Sequence, residues 1–232
     1  MTSASVLNSY PNLFVKQSDK GCLRSLCGCD AQDEFHIATI ENENVDKFYA
    51  KETSGCCFRL FCPVLHPFRM NFSSGATTTG PLVAIYQRPL KCFPGNCKCC
   101  CYQEIMAFDG AFNTPIGSVS ETCYFCIPQY NVKNQSNDIK YHIAVPTCFV
   151  CCPNYCAEGC CRVPFYVYPN GDMTHHVGKI VRQWGSCWSQ CIGVPKYSAE
   201  FPPGSSAEDK ALLMGGSFLL NEIYFKSHCV CF

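Results

Sequence analysis

The stretch Ala211-Leu212-Leu213-Met214-Gly215-Gly216-Ser217-Phe218-Leu219-Leu220 constrains the fold of this chain more than any other segment. It is apolar on nearly every face, and a helix of that kind must be buried in protein or in lipid. Ser205 stands three residues before Glu208, the spacing of a capping box, and Glu208 and Asp209 suit the positive end of a helix dipole. Asn221 and Glu222 close the run after about ten residues, whereas a membrane span needs about 20. The sequence therefore favours a helix near residues 206–224 buried in the protein's own core, over a transmembrane one. Gly215-Gly216 costs helix stability and makes sense where strands pack close against the helix.

Something must surround that helix, and the rest of the chain reads as strands. Expected strands run over Phe35–Ile40, Val45–Lys51, Phe58–Phe61, Pro67–Phe72, Leu82–Gln87, Tyr102–Phe108, Ile116–Ser120, Gln129–Lys133, Lys140–Val145, Val163–Tyr168 and His176–Gln183. Between them lie turn-forming clusters such as Ser73-Ser74-Gly75, Phe108-Asp109-Gly110, Asn134 to Asp138 and Pro169-Asn170-Gly171-Asp172. Eleven or twelve short strands at this spacing suggest a sandwich or barrel. Residues 1–34 are polar and irregular and read as an N-terminal arm, leaving 35–232 as a single domain.

Composition narrows the function classes. Hydrophobic residues make up 47% and charged residues 16% of 232, so the chain is globular rather than disordered. Eighteen basic residues balance eighteen acidic ones, which argues against nucleic acid as a primary partner, since phosphate neutralisation needs a basic surplus. No Ser-His-Asp set, phosphate loop, paired catalytic carboxylates or dinucleotide glycine motif appears, so covalent enzymology has no positive support.

Cysteine is the outlier, with 23 residues. The N-terminal Met1-Thr2-Ser3-Ala4-Ser5 shows no basic-then-apolar signal peptide, and Thr2 replaces the glycine that myristoylation requires. The expectation is reduced thiols on the cytoplasmic side. Two clusters stand out. Cys97, Cys99, Cys100 and Cys101 form a tight group beside Cys92; they are candidates for acylation, for a metal, or for simple burial. Cys148, Cys151, Cys152, Cys156, Cys160 and Cys161 put six thiols into fourteen residues. With the Cys123/Cys126 pair they are weak candidates for zinc or an iron–sulfur cluster, against reduced or lipidated thiols.

A mostly antiparallel barrel followed by one hydrophobic helix resembles the tubby-like fold, and the residues themselves resemble the phospholipid scramblase family. The matching blocks are Tyr49-Ala50-Lys51-Glu52 with Cys56-Cys57; Pro67-Phe68-Arg69-Met70, with His66 where an arginine is usual; Arg88-Pro89-Leu90-Lys91-Cys92; Cys100-Cys101-Tyr102-Gln103-Glu104-Ile105; Val177 to Trp184; Phe201-Pro202; and Asp209-Lys210-Ala211 into Phe218-Leu219-Leu220. They occur in family order over about residues 35–225. The resemblance implies an all-β fold with one helix: a closed antiparallel barrel of about twelve strands around the buried C-terminal hydrophobic helix. It also implies membrane association on the cytoplasmic face, calcium-triggered movement of phospholipids between leaflets, and palmitoylation at Cys97, Cys99, Cys100 and Cys101.

Two family features match less well. Aligned on Phe201-Pro202, the usual acidic calcium positions fall on Gly193, Pro195 and Gly204, none of which offers a side-chain oxygen. Glu200 is the one carboxylate of that stretch and Lys196 sits beside it, so no calcium site is expected. The segment Gly178, Lys179, Ile180, Arg182, Trp184 is similar to a nuclear-import signal of some family members, but two basic residues on a strand read more simply as a solvated face. The leading expectation is a membrane-associated scramblase-family protein. The alternative is a non-catalytic scaffold of the same fold in a larger membrane-bound assembly, and a thiol-redox or metal-binding protein is the third reading.

Overall fold

The computed structural model describes residues 2–18, 32–55, 66–91, 101–124, 127–145, 148–149, 152–153, 162–183 and 195–225. Among the described residues fourteen strands follow one another: β1 (Asn12–Gln17), β2 (Glu34–Ala38), β3 (Phe48–Thr53), β4 (Phe68–Ser74), β5 (Leu82–Arg88), β6 (Glu104–Asp109), β7 (Pro115–Glu121), β8 (Gln129–Asn134), β9 (Ile139–Ala144), β10 (Cys148–Phe149), β11 (Cys152–Pro153), β12 (Val163–Pro169), β13 (Gly178–Gln183) and β14 (Lys196–Glu200). Twelve of them close a barrel in the order β1-β14-β13-β12-β9-β8-β7-β6-β5-β4-β3-β2, while β10 and β11 form a separate two-stranded sheet. Neighbouring barrel strands are antiparallel throughout. The closed barrel expected from the family resemblance is therefore present. The strand expected over Phe58–Phe61 lies outside the described residues.

Closure depends on residues that the sequence reading assigned to an irregular arm. Strand β1 pairs with β14 through Asn12↔Glu200 to Lys16↔Lys196, and with β2 through Phe14↔Ala38 to Gln17↔Phe35. It is the wall element that joins the two ends of the sheet. The reason lies in its alternation: Leu13, Val15 and Gln17 are buried inward, while Lys16 is exposed. A closed barrel has no free edge to invite aggregation, so this short strand removes the liability of both β2 and β14.

A 3-10 segment, Ser3–Ser9, precedes β1 and plugs one end of the barrel. Ala4 and Leu7 are buried there. The Lys210 ammonium donates to the carbonyls of Leu7, Asn8 and Tyr10 at 3.1, 3.1 and 2.9 Å. Asp109 Oδ2 accepts from the Ser3 amide at 2.7 Å and its hydroxyl at 2.8 Å.

The apolar helix, α1 (Ala207–Leu220), fills the barrel. Its capping box is shifted one residue from the expected frame. Ser206 is the N-cap and its hydroxyl accepts from the Asp209 amide, while the Asp209 carboxylate accepts from the Ser206 amide. Ser205 instead donates to the Pro202 carbonyl at 2.7 Å, and Glu208 accepts from the Thr2 hydroxyl at 3.1 Å. Both serines have an acid three residues on, so spacing alone could not choose between them; Ser206 is the one in the extended conformation an N-cap requires. Beyond Leu220 the helix widens into a π turn, Asn221–Phe225. Among the described residues no helix is long and apolar enough to cross a membrane.

The glycine pair sits where the wall comes closest. A Cβ on Gly215 would meet the Tyr86 ring at 3.0 Å, and one on Gly216 would meet Ile143 Cδ1 at 3.1 Å. The Tyr86 ring cannot swing aside freely, because its hydroxyl donates to the Ala211 carbonyl at 2.9 Å. One turn on along the same face, Phe218 packs between Phe35 and Tyr86, with ring centroids 5.3 and 5.4 Å away. Replacing Gly215 with valine is expected to overpack this contact, costing about 1–3 kcal/mol. A lower urea midpoint with unchanged slope is the outcome that checks it.

Candidate functional site: a buried charged belt inside one rim

Antiparallel strands alternate their ends between the two rims of a barrel. One rim gathers the C-terminal ends of β1, β3, β5, β7, β9 and β13 and the starts of β2, β4, β6, β8, β12 and β14. The C-terminal end of α1 emerges at the same rim, since Glu222 and Tyr224 meet residues from it.

Just inside this rim the lining turns from apolar to charged. The inward-facing residues that end β1, β3, β5 and β7 are Gln17, Glu52, Arg88 and Glu121, and all four are buried. Asp33, His66 and Gln103, each lying just before β2, β4 or β6, fill the gaps and are also buried. The side chains form a chain of contacts around the wall. Gln17 Nε2 donates to Asp33 Oδ1 at 2.6 Å, and the Asp33 amide to Glu52 Oε2 at 3.0 Å. Glu52 Oε1 lies 3.0 Å from His66 Nε2 and also accepts from the Ser54 hydroxyl. Arg88 donates from Nη1 to the His66 carbonyl at 3.0 Å and from Nη2 to Gln103 Oε1 at 2.6 Å. The Gln103 amide donates to Glu121 Oε2 at 2.8 Å. From the helix end, Glu222 Oε1 stands 3.8 Å from His66 Nδ1, and the Tyr130 hydroxyl donates to the Tyr224 hydroxyl at 3.2 Å.

The electrostatics follow from this burial. Arg88 is only 2% exposed, and desolvation pulls its guanidinium below its ordinary pKa; the nearby Glu222 and Glu52 carboxylates pull it back up. Burial pushes the Tyr224 phenol up to about 12 and the Tyr130 phenol well above its usual range. A Glu–His pair in contact is a familiar general-base arrangement. Here His66 is 0% and Glu52 1% exposed, so the pair is closed off from solvent. The belt acts as a polar clamp that ties the ends of β1 to β7 and the helix exit together.

In the sequence, the cysteines fall between element ends that meet at this rim. The chain segments that leave or arrive there, numbered 18–33, 54–67, 89–103, 122–128, 145–162, 184–195 and 226–232, contain all 23 cysteines. None lies in a barrel strand or in a connection at the opposite rim. Of the acylation candidates, Cys97, Cys99 and Cys100 lie outside the described residues. Cys101 is exposed, with φ of 57°, and its sulfur is disulfide-bonded, which differs from the expected reduced thiol. Of the second cluster, Cys148 and Cys152 fall in β10 and β11, and Cys151, Cys156, Cys160 and Cys161 lie outside the described residues. Cys123 is exposed. Among the described residues no group of three His, Cys, Asp or Glu side chains is arranged to hold a metal.

The remaining sequence candidates are wall elements. The stretch where the family resemblance would place calcium ligands, and where no calcium site is expected, contains β14, whose Glu200 lies 3.8 Å from the Lys179 ammonium. The import-like segment is β13. It carries Gly178, Lys179, Ile180 and Arg182 and is hydrogen-bonded along both edges, to β12 and β14, while Trp184 lies outside the described residues. Ile180 points into the core.

Comparison with known proteins adds to this geometry. A family model described as Scramblase matches residues 2–227. The chain is 26% identical over 221 residues to phospholipid scramblase 2 of Bos taurus, covering 95% of this chain and 70% of that one. It is 27% identical over 231 residues to phospholipid scramblase 1 of Homo sapiens, covering 95% and 68%. It is 28% identical over 182 residues to phospholipid scramblase 2 of Homo sapiens, covering 77% and 56%. No solved structure matches.

The belt makes a sharp stability prediction. Replacing Arg88 with methionine keeps the volume but leaves Glu52 and Glu222 buried without their cation, which should cost about 3–5 kcal/mol. Chemical unfolding of the variant beside the parent protein checks it, and an unchanged midpoint would contradict the clamp.

Proposed function

The chain belongs to the scramblase family, and from that premise we propose that it is a membrane-associated member acting on phospholipid bilayers from their cytoplasmic face. The observation that carries this reading is the family match over residues 2–227 on a complete barrel-and-helix fold. The attachment follows from the thiols. Each acyl chain contributes about 0.8 kcal/mol per buried methylene, and stable anchoring takes two signals. Cys97, Cys99 and Cys100 are the proposed acyl acceptors, joined by Cys101 when its disulfide is reduced.

Any transbilayer movement runs outside the barrel in this reading. A headgroup crossing hydrocarbon needs a polar path or a disturbed bilayer, and the lumen is occupied by α1 and sealed by the belt. The activity is also expected to be independent of calcium, because Gly193, Pro195 and Gly204 supply no carboxylates where the family resemblance expects them. The same absence favours a second reading, a non-catalytic module of this fold within a membrane-bound assembly.

One experiment separates them. Protein purified from eukaryotic cells is tested for hydroxylamine-sensitive acyl exchange and reconstituted into liposomes with labelled phospholipids, beside a variant with Cys99, Cys100 and Cys101 changed to serine. The proposal expects acyl labelling largely lost in the variant. It also expects lipid redistribution by the parent protein, equal with and without calcium. Labelled but inactive protein would support the scaffold reading, and no labelling at all would remove the anchor.

A further inference from the structure

We propose that a cleft on the outer wall of the barrel, across β1, β2 and the connection that follows β2, binds a phosphate ester carrying a primary ammonium, the chemistry of an aminophospholipid head group. This rests on the membrane reading above and deepens it, by naming a head-group site on the outside of the barrel, where that reading puts lipid movement.

The cleft has a volume of about 290 Å³ and is lined by Phe14 and Lys16 of β1, His36 and Ala38 of β2, and Glu43, Asn44 and Asp46 of the connection. Strand alternation builds its wall. Leu13, Val15, Phe35 and Ile37 belong to the core, so Phe14, Lys16, His36 and Ala38 stand on the outer face. The pairing of β1 with β2 sets Lys16 opposite His36 and Phe14 opposite Ala38. Residues 39–47 fold back over this wall. The Asn42 amide donates to the Thr39 carbonyl at 3.2 Å, and the Lys47 amide to the Ile37 carbonyl at 2.7 Å. Asp46 thereby reaches His36, with Oδ2 2.6 Å from Nδ1. The Tyr49 ring meets the imidazole edge-on from β3, with centroids 5.3 Å apart. The imidazole is therefore held from two sides.

The ligand chemistry follows from what the cleft leaves unused. An ionised carboxylate only accepts hydrogen bonds, so Asp46 fixes a proton on His36 Nδ1 and leaves Nε2 as the remaining polar atom of the ring. Among the described residues, His36 Nε2 and the side chains of Lys16, Glu43 and Asn44 have no hydrogen-bond or ion-pair partner. Lys16, Glu43 and Asn44 are exposed, while Phe14 and Ala38 are buried and give the cleft an apolar base. With Asp46 engaged by His36, one cation and one anion are left over: Lys16 and Glu43. A bare phosphate would satisfy Lys16, His36 and Asn44 but set an anion against Glu43. A bare amine would do the reverse with Lys16. A molecule with both groups satisfies all four, and its methylenes can lie on Phe14 and Ala38. A primary ammonium has N–H groups to donate to Glu43, and a quaternary one has none.

The test has a soluble arm and a vesicle arm, both on the full chain. In the first, isotope-labelled protein is titrated with glycerophosphoethanolamine, glycerophosphocholine, inorganic phosphate and β-alanine and followed by NMR. Glycerophosphoethanolamine should shift the Lys16 and Glu43 amides and the His36 imidazole saturably. K16M and E43Q, both changes of exposed side chains, should each weaken it by about fivefold, the upper range of an exposed ion pair. Glycerophosphocholine and inorganic phosphate should bind more weakly and lose nothing in E43Q. In the second arm, protein purified from eukaryotic cells is sedimented with vesicles of phosphatidylcholine alone or mixed with phosphatidylethanolamine. The mixed vesicles should retain more protein, and K16M and E43Q should abolish that difference. Absence of shifts at these residues, or equal affinity in E43Q and the parent, overturns the site; sedimentation with both vesicles would then leave the membrane reading standing. Binding of β-alanine as tight as that of glycerophosphoethanolamine overturns the phosphate assignment. Saturable binding of the soluble ester by protein that sediments with neither vesicle assigns the cleft to a free phosphate ester, and overturns both the head-group assignment and the membrane reading.

Discussion

An α-helix with no polar face has to be surrounded on all sides, and the architecture follows from that need. Twelve strands enclose the one helix, and their inward side chains pack against α1 and against one another. Phe35, Phe72, Tyr86 and Phe218 show the result: rings from three strands converge on one helical phenylalanine. The glycine pair is the complement of those rings, because large wall residues require small helical ones opposite them. Closure by β1 matters for the same reason. Without that strand the barrel would open between β2 and β14 and expose the helix flank beneath Leu13 and Val15.

The two ends of the barrel solve the end-capping problem differently. At the start of α1 the seal is local and made by the chain's own N-terminal segment, held by one lysine and one aspartate. At the other end it is a continuous belt in which side chains of alternate strands satisfy one another. Buried charges are costly unless paired and hydrogen-bonded, and here acids and the single arginine alternate around the ring with amide and imidazole groups between them.

Much of the fold was legible in the sequence because it rests on periodicity. The helix announced itself by its continuous apolar run, and most strands by alternation between turn residues. The elements that were missed lack those signs. Lys196-Tyr197-Ser198-Ala199-Glu200 has no β-branched residue, and its place beside Phe201-Pro202 drew a reading as a degenerate calcium stretch. Asn12–Gln17 is short and embedded in a polar N-terminus. The belt was missed for a different reason. Glu52, Arg88 and Glu121 look like solvated strand ends when taken singly. Their signal is parity: Phe48, Ala50 and Glu52 share one face, as do Tyr86 and Arg88, and Val119 and Glu121. A charge that continues an inward alternation is a candidate for burial, and three such charges in successive odd strands form a pattern.

The central claim is that α1 stays enclosed by the barrel when the protein sits on a membrane. Amide hydrogen exchange of the vesicle-bound protein, compared with the free protein, tests it most directly. Fragments covering Ala207–Leu220 and the central residues of β5 and β7 should keep the same slow exchange in both states, with changes confined to the connections between strands. Fast exchange or altered protection in β5 and β7, together with a helix that exchanges differently on vesicles, would mean that the barrel opens and releases the helix into lipid, and would contradict the account.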